Sequence, residues 1–243
     1  LKIKTGCFRS KDSSSFFGVN TTSDLKEAAK IYKQRTVNQL LSKGAVFHSS
    51  ENTHIFGELT CGHNVELYPN VSFFGKVKIG SNVIIMPNCV IEESSIGDNT
   101  IILPNTCING SKIEKNCTIG PSARIRPQSI ISNNSRIGNF VEIKSSFIGK
   151  NSKVNHLSYI GDAKIGQNVN IGAGTITCNY DGRKKHKTVI GNNVFVGSGV
   201  QLIAPIKIGH NSKIGAGSTL NIDVAKNKLA IARTKKVFIK DII

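Results

Sequence analysis

Aliphatic residues recur about every six positions through most of the chain after residue 50. One stretch of this pattern places isoleucine at Ile79, Ile85 and Ile91, and a later stretch has Ile137 and Ile143. Internal repeats are considered before any other fold signal, because a fixed period determines the whole architecture. A period that keeps its phase so long disfavours a sandwich of short strands, in which the spacing would vary.

Glycine and asparagine also occupy regular places in this repeat. Glycine often follows the aliphatic residue, as at Gly80 and Gly97, and asparagine often stands three positions after it, as at Asn82 and Asn99. Both residue types adopt positive φ at low cost, so we expect both columns to mark tight corners. Three flat faces then make one coil of roughly 18 residues, and stacked coils bury the aliphatic column as a continuous core.

A helix is predicted before the repeat, over residues 21–49. Thr21 and Asp24 have the spacing of a capping box, in which each side chain bonds to the other's backbone amide. Apolar residues such as Leu25 and Leu40 recur on one helical face. This helix is expected to link two domains and to bury that apolar face.

A basic insertion interrupts the repeat at residues 181–188, DGRKKHKT. A run of charges is usually a solvated loop. Loops that project from a rigid scaffold often carry function, however, and these positive charges would favour phosphates. The pattern alone leaves both interpretations open.

The composition narrows the class of protein. The formal net charge of +17 suggests an anionic partner, but lysine is spread along the chain and no arginine-rich run marks a nucleic-acid-binding face. The six cysteines form no CxxC pair, which indicates reduced thiols and a cytoplasmic protein. No apolar run approaches the roughly 20 residues that cross a bilayer. We therefore expect no nucleic-acid or membrane partner.

The most specific stretch contains NHLSYIGDA at residues 155–163 and NIGAGTITCNYDG at residues 170–182. It resembles the acetyltransferase part of the bacterial bifunctional N-acetylglucosamine-1-phosphate uridylyltransferase/glucosamine-1-phosphate N-acetyltransferase family. The resemblance runs from GVN at 18–20 to AIAR at 230–233. It implies an all-β, left-handed parallel β-helix of hexapeptide repeats, preceded by a linker α-helix.

The resemblance also implies an activity, the transfer of an acetyl group from acetyl-CoA to the amine of glucosamine-1-phosphate. The product, N-acetylglucosamine-1-phosphate, would serve UDP-N-acetylglucosamine and cell-envelope synthesis. The implied organisation is the end of a uridylyltransferase domain (1–20), the linker helix (21–49), the acetyltransferase β-helix (50–225) and a basic tail (226–243). The chain would then be a piece of a longer protein that performs both steps.

Amide formation from acetyl-CoA needs an uncharged amine and a base that removes the surplus proton. Histidine suits this task, because an unperturbed imidazole has a pKa of about 6.5 and is mostly neutral in the cytoplasm. His156 lies in the NHLSYIGDA motif, and the resemblance implies that it is the general base. Without that motif, a lone histidine on a repeat face would be read as structural.

The remaining site residues are implied by the same resemblance. Arg126 and Lys144 would hold the sugar phosphate, and Tyr159 and Asn170 would bond the sugar. The residues that match acetyl-CoA-binding positions are Ala173, Asn179, Tyr180, Ser198, Ala216 and Arg233. Lys185, in the inserted loop, is a further anion-binding candidate on the cofactor side.

Two further features of the family bear on this chain. Its acetyltransferase site forms between the neighbouring β-helices of a homotrimer, which implies the same assembly here. Asn20 matches one position that binds Mg²⁺ in the uridylyltransferase site, but the glycine-rich nucleotide loop and the acidic Mg²⁺ ligand of that site are absent. We expect no uridylyl transfer by these 243 residues.

Other functions stay open at this point. A different hexapeptide-repeat acyltransferase would share acetyl-CoA but use another acceptor. A non-catalytic basic scaffold, or a nucleic-acid binder with salt-dependent affinity, would release no thiol. A zinc enzyme on this fold is disfavoured, because the histidines form no compact triad in sequence.

Overall fold

We describe residues 5–9 and 13–233 of a computed structural model of this chain. A short 3-10 helix, Ser13–Phe16, precedes the helix α1, Thr22–Ser42. The strands in chain order are β1 (Val46–Phe47), β2 (His54–Cys61), β3 (Glu66–Leu67), β4 (Ser72–Ile79), β5 (Ile84–Ile85), β6 (Val90–Glu92), β7 (Ser95–Ile96), β8 (Ile101–Ile102), β9 (Cys107–Asn109), β10 (Lys112–Ile113), β11 (Thr118–Ile119), β12 (Arg124–Ile125), β13 (Ile130–Ile131), β14 (Arg136–Asn139), β15 (Glu142–Lys144), β16 (Phe147–Ile148), β17 (Lys153–His156), β18 (Tyr159–Gly161), β19 (Ala163–Ile165), β20 (Asn170–Ile171), β21 (Ile176–Cys178), β22 (Thr188–Ile190), β23 (Phe195–Val196), β24 (Gln201–Ile203), β25 (Ile206–Ile208), β26 (Lys213–Ile214), β27 (Thr219–Leu220) and β28 (Leu229–Ala230).

These strands form a parallel β-helix, as predicted. Ile137 pairs in parallel with Ile119 in the preceding coil and with Val154 in the following coil. This register agrees with the expected coil of roughly 18 residues. The aliphatic column points inward and is almost fully buried from Leu67 to Leu220.

The coils have three faces. Face A consists of β1, β3, β5, β8, β11, β14, β17, β20, β23, β26 and β28. The other two faces share one sheet, because β4 continues around the corner between them: Ser72 pairs with Val90, and Lys78 pairs with Ser95. Face B continues from β6 through β9, β12, β15, β18, β21, β24 and β27, and face C continues from β7 through β10, β13, β16, β19, β22 and β25.

The asparagine column forms corners, as predicted. Asn134, Asn151 and Asn168 have φ of 60°, 60° and 55°, at the corner between faces C and A. Their side chains also form a ladder, since Asn134 Nδ2 donates to Asn151 Oδ1 at 3.1 Å and Asn151 Nδ2 donates to Asn168 Oδ1 at 3.0 Å. The corner residue thus satisfies both its own turn and the contact between coils.

The prediction that the glycine column marks corners with positive φ is wrong. Gly80 and Gly97 are not among the glycines with positive φ. A Cβ on Gly97 would instead stand 2.7 Å from the backbone carbon of Glu114 in the next coil. Glycine is needed at these places because successive coils approach too closely for any side chain.

Helix α1 begins at the predicted capping box. Thr21 Oγ1 accepts from the Asp24 amide at 3.1 Å, and Asp24 Oδ2 accepts from the Thr21 amide at 2.9 Å. The predicted apolar face is only partly correct, since Leu40 is buried but Leu25 is 59% exposed. The last turns of the helix are the part that is buried, with Val37 beside Leu40, so helical spacing alone assigned too long a buried face.

No helix in the described ranges is long and apolar enough to span a membrane. The predicted division at residues 20, 49 and 225 stays a prediction. Residues 1–4 and 10–12 of the proposed domain remnant, and 234–243 of the proposed tail, lie outside the described residues.

Candidate functional site

His156 ends strand β17 on face A, and its side chain is exposed. The parallel register places Asn139, at the end of β14, beside it in the preceding coil. His156 Nδ1 and Asn139 Oδ1 are 2.6 Å apart. A cavity of about 360 Å³ opens next to this pair and is also lined by Arg136 and Asn155.

A backbone column runs from His156 through Ala173 and Ser198 to Ala216, one residue from each successive coil. Ala173, Ser198 and Ala216 are each followed by a glycine. The backbone amide of that glycine donates to the carbonyl of the column residue one coil earlier, at 2.7–3.2 Å. The Ala216 carbonyl accepts from Arg233 Nη1 at 3.0 Å. The structure therefore aligns His156 with four of the predicted cofactor residues.

The side chains along this column change character at His156. In the coil just before His156 the same position is Asn139, and in coils nearer the N-terminus it is proline at Pro69, Pro87 and Pro104, whose carbonyls accept the equivalent hydrogen bonds. In the later coils it is alanine or serine. A narrow trough of small residues therefore begins at His156 and leads to Arg233, and we call it the small-residue trough.

The corner residues beside this column change in the same way. Phe140 and Leu157 have φ of 54° and 51°, and their side chains are 63% and 62% exposed. In the next coils the corner is glycine, with φ of 72° at Gly174 and 67° at Gly199. Bulky residues in the left-handed region are unusual, so this corner departs from the asparagine and glycine pattern of most other corners.

A second group of predicted residues lies on face B, around the corner from His156. Arg126 Nη1 bonds to Glu142 Oε1 at 2.7 Å. Tyr159 pairs with Glu142 in the adjacent strand. Lys144, in the same strand as Glu142, has its ammonium 3.6 Å from Asp162 Oδ2.

Lys185 joins this group from the inserted loop. Its hydrogen bond with Lys144, followed by the charge of Asp162, raises the pKa of Lys144. The same contact with Lys144 lowers the pKa of Lys185. Two neighbouring amines repel each other when both are protonated and positively charged. A bound anion offsets this repulsion. We call Arg126, Lys144 and Lys185 the cationic cluster.

The inserted loop is a folded element. Asp181 accepts from the backbone amides of Arg183 and Lys184, both at 2.8 Å, and lies 2.6 Å from His186 Nε2. The His186 hydrogen bond, with these two amides, lowers the pKa of Asp181. An antiparallel bridge between Tyr180 and Lys185 closes the loop. This structure carries Lys185 to the cationic cluster, which favours the functional interpretation of the insertion.

Asn179 and Tyr180 lie at the base of this loop, away from the small-residue trough. Asn179 is buried, and its Nδ2 donates to Asp162. Tyr180 is exposed, and its hydroxyl donates to the Gly182 carbonyl at 2.7 Å. Asn170 lies on face A in register with Lys153, one coil beyond His156's strand.

Sequence reasoning missed three residues that contact the predicted ones: Asn139, Glu142 and Asp162. A signal for Asn139 was present, since it precedes His156 by one coil of the repeat. The other two are acidic residues that neighbour Lys144 in the chain or in the next coil. Their relevance follows only from the register.

Asn20 makes no metal site with its described surroundings. Its backbone amide donates to Asp24 Oδ2 at 3.0 Å as part of the helix cap. In the described ranges, no three or more histidine, cysteine, aspartate or glutamate residues lie close enough together to hold a metal ion.

Comparisons with known proteins bear on the fold and on the family of this chain. Family models described as the GMPPB C-terminal domain and the bacterial transferase hexapeptide (six repeats) match residues 107–206 and 76–110. The solved structure of an Arabidopsis UDP-N-acetylglucosamine acyltransferase has a TM-score of 0.53 at 20% identity, covering 77% of this chain and 69% of that one. That likeness shows the fold.

Relatives in bacteria are much more similar in sequence. The bifunctional protein GlmU of Marinobacter nauticus is 46% identical over 219 residues, covering 90% of this chain and 48% of the relative. GlmU of Thermodesulfovibrio yellowstonii is 48% identical over 223 residues, covering 92% and 49%. The chain thus spans about half the length of these relatives. Over the half that it spans, the chain belongs to the family of the bifunctional GlmU proteins.

Proposed function

We propose that this chain transfers an acetyl group from acetyl-CoA to the amine of glucosamine-1-phosphate. The observation that carries the proposal is the backbone column from His156 through Ala173, Ser198 and Ala216 to Arg233. A pantetheine arm is long and thin, so it fits a trough of small residues. In this proposal Arg233 binds a cofactor phosphate at one end of the trough, and the thioester lies at His156.

The chemistry follows from this placement. The amine nitrogen attacks the thioester carbonyl carbon, the carbon–sulfur bond breaks, and the sulfur leaves with CoA. His156 accepts the proton that the amine loses as the new carbon–nitrogen bond forms. The same imidazolium can return that proton to the CoA sulfur, which leaves the histidine neutral for the next turnover.

The cationic cluster provides the site for the sugar phosphate. Arg126 offers a planar fork of donors, and Lys144 and Lys185 offer two ammonium groups. The acidic neighbours of the cationic cluster, Glu142 and Asp162, hold its side chains in place. Two carboxylates leave part of the positive charge of three cations unbalanced. A phosphorylated acceptor therefore suits this surface better than a neutral sugar.

The acceptor is tested by measuring CoA thiol release with glucosamine-1-phosphate, glucosamine and other amino sugars. Rapid release with glucosamine-1-phosphate, and a much higher KM for glucosamine, is the expected result. A preference for an unphosphorylated acceptor would favour a different hexapeptide-repeat acyltransferase. Absence of thiol release with every acceptor would favour a non-catalytic scaffold.

Filling the small-residue trough tests the cofactor position. The change Ser198→Phe places a large ring on an exposed trough residue, so we expect the KM for acetyl-CoA to rise at least about tenfold, the equivalent of roughly 1.4 kcal/mol of lost binding. The KM for glucosamine-1-phosphate should stay near the wild-type value. The matched control is Pro87→Phe, in the same column but on the other side of His156. Equal KM values for both variants would contradict the trough as the acetyl-CoA site.

We also propose a homotrimer with each site between neighbouring chains, in the cytoplasm. His156 and Lys144 lie on different faces, and the exposed Phe140 and Leu157 stand at the corner between them. A second copy packed against this corner would cover those side chains and bring its own cationic cluster toward His156. The cysteines are all free thiols, as expected of a protein in a reducing compartment.

Mixed trimers test this assembly. His156→Ala and Lys144→Ala chains are co-expressed with different tags, and trimers that carry both tags are isolated. If base and cluster come from neighbouring chains, each mixed trimer keeps one intact site, so we expect about one third of wild-type turnover. Homotrimers of either variant should be far less active. Mixed trimers no more active than the average of the two variants would contradict the shared site.

A further inference from the structure

We infer that Asn139 is a positioning residue, which fixes the tautomer and the orientation of the His156 ring so that Nε2 acts as the base. The inference rests on the proposed function for its kinetic part. Nothing in the sequence motif that contains His156 assigns a role to Asn139, which lies one coil earlier.

Two contacts join the residues. The backbone amide of Leu157 donates to the Asn139 carbonyl at 3.1 Å, and the side chains meet at 2.6 Å between Nδ1 and Oδ1. The first contact sets the distance between the two coils, and the second sets the rotation of the ring. Asn139 is half-buried and His156 is exposed, so the asparagine is the more restrained partner.

The direction of the hydrogen bond determines which nitrogen is the base. An amide oxygen only accepts, so Nδ1 must carry the proton and donate it to Oδ1. The lone pair of the neutral ring then lies on Nε2, at the exposed end. When the amine proton moves to Nε2, the imidazolium that forms keeps its Nδ1–H bond to Asn139. No rotation or proton transfer at Nδ1 accompanies the reaction.

A neutral acceptor also suits the surroundings. The charged residues on the adjoining strands of face A are Arg136 on β14 and Lys153 on β17, which pair with each other across the two coils. An amide orients the ring without adding a carboxylate that would form an ion pair with either cation. Asparagine therefore orients His156 without introducing a competing charge at this edge.

The test compares Asn139→Ala with Asn139→Asp, which keeps an accepting oxygen. Asn133→Ala is the control, because Asn133 is also half-buried and its Oδ1 also accepts one hydrogen bond between coils, from the Lys115 amide at 3.0 Å, away from His156. We expect Asn139→Ala to lower kcat about 10- to 100-fold, less than loss of the base itself, with both KM values unchanged. Asn139→Asp keeps the accepting oxygen but adds a charge, so it should recover only part of this loss, and Asn133→Ala should stay within about threefold of wild type.

A spectroscopic measurement separates positioning from a structural role. In ¹⁵N NMR spectra of protein with labelled histidine, wild-type His156 should show the Nδ1–H tautomer, and the Asn139→Ala protein should lose that preference. The melting temperature of Asn139→Ala should stay near the wild-type value. An unchanged tautomer in Asn139→Ala, or a kcat within twofold of wild type, would overturn the inference. Wild-type protein that fails to acetylate glucosamine-1-phosphate would refute the proposed function, whereas the tautomer measurement would still decide the role of Asn139.

Discussion

Replacing His156 with alanine is expected to lower kcat for acetyl transfer by about 10² to 10⁴, the usual contribution of a positioned general base. The KM values for both substrates should change little, because the small-residue trough and the cationic cluster do not depend on the imidazole. The measurement is the release of CoA thiol at saturating acetyl-CoA and glucosamine-1-phosphate. Loss of kcat without loss of binding is the signature of a group used in the transition state.

The control for this substitution is His210→Ala. His210 is also exposed, and its Nδ1 accepts from the backbone amide of Asn192 at 2.8 Å, so its role is to satisfy a corner of the β-helix. Its removal should lower stability slightly and leave kcat near the wild-type value. A His156→Ala protein that folds, assembles like wild type and keeps full turnover would eliminate His156 as the base.

The repeat made the fold predictable because its information is local. Each coil repeats the same aliphatic position and the same asparagine corner, and positive φ at a residue such as Asn151 follows from the steric preferences of asparagine itself. The glycine column was misinterpreted because its cause is not local. Gly97 is required by the backbone of Glu114 in another coil, and sequence alone does not show that distance.

The site was only partly predictable for the same reason. The motif around His156 identified a candidate base through resemblance, but the partner of its ring stands one coil away. The spacing of one coil indicated Asn139, but the length of a coil varies along the chain, so only the observed register pairs Asn139 with His156. The contact of Lys185 with Lys144 depends on the fold of the inserted loop, which no periodic pattern predicts.

The helix shows a different limit. Spacing on a helical face predicts which side chains are neighbours, and it placed Leu25 and Leu40 together. It does not predict how much of the helix meets another element. Leu40 is buried against the start of the β-helix, whereas Leu25 is exposed on the N-terminal part. The length of contact is a tertiary property.

The inward and outward positions of a single strand offer a sharp test of the fold. Ile130 and Ile131 are adjacent in β13, but Ile130 is 39% exposed on face C and Ile131 is fully buried. Ile131 pairs with Ile113 and Ile148 in the neighbouring coils, so it belongs to the continuous core. The two side chains have the same chemistry and the same β propensity, which makes each the control for the other.

Ile131→Ala should lower the free energy of unfolding by about 2 to 5 kcal/mol, since it removes buried apolar atoms and leaves a cavity between two rigid coils. Ile130→Ala should cost less than about 1 kcal/mol, because most of what it removes is already in contact with solvent. Urea unfolding followed by circular dichroism measures both. A slip of one residue in the register would exchange the two results, because successive side chains of a strand point to opposite faces. Equal losses, or a larger loss for Ile130→Ala, would therefore contradict the register on which the positions of His156, Asn139 and the small-residue trough depend.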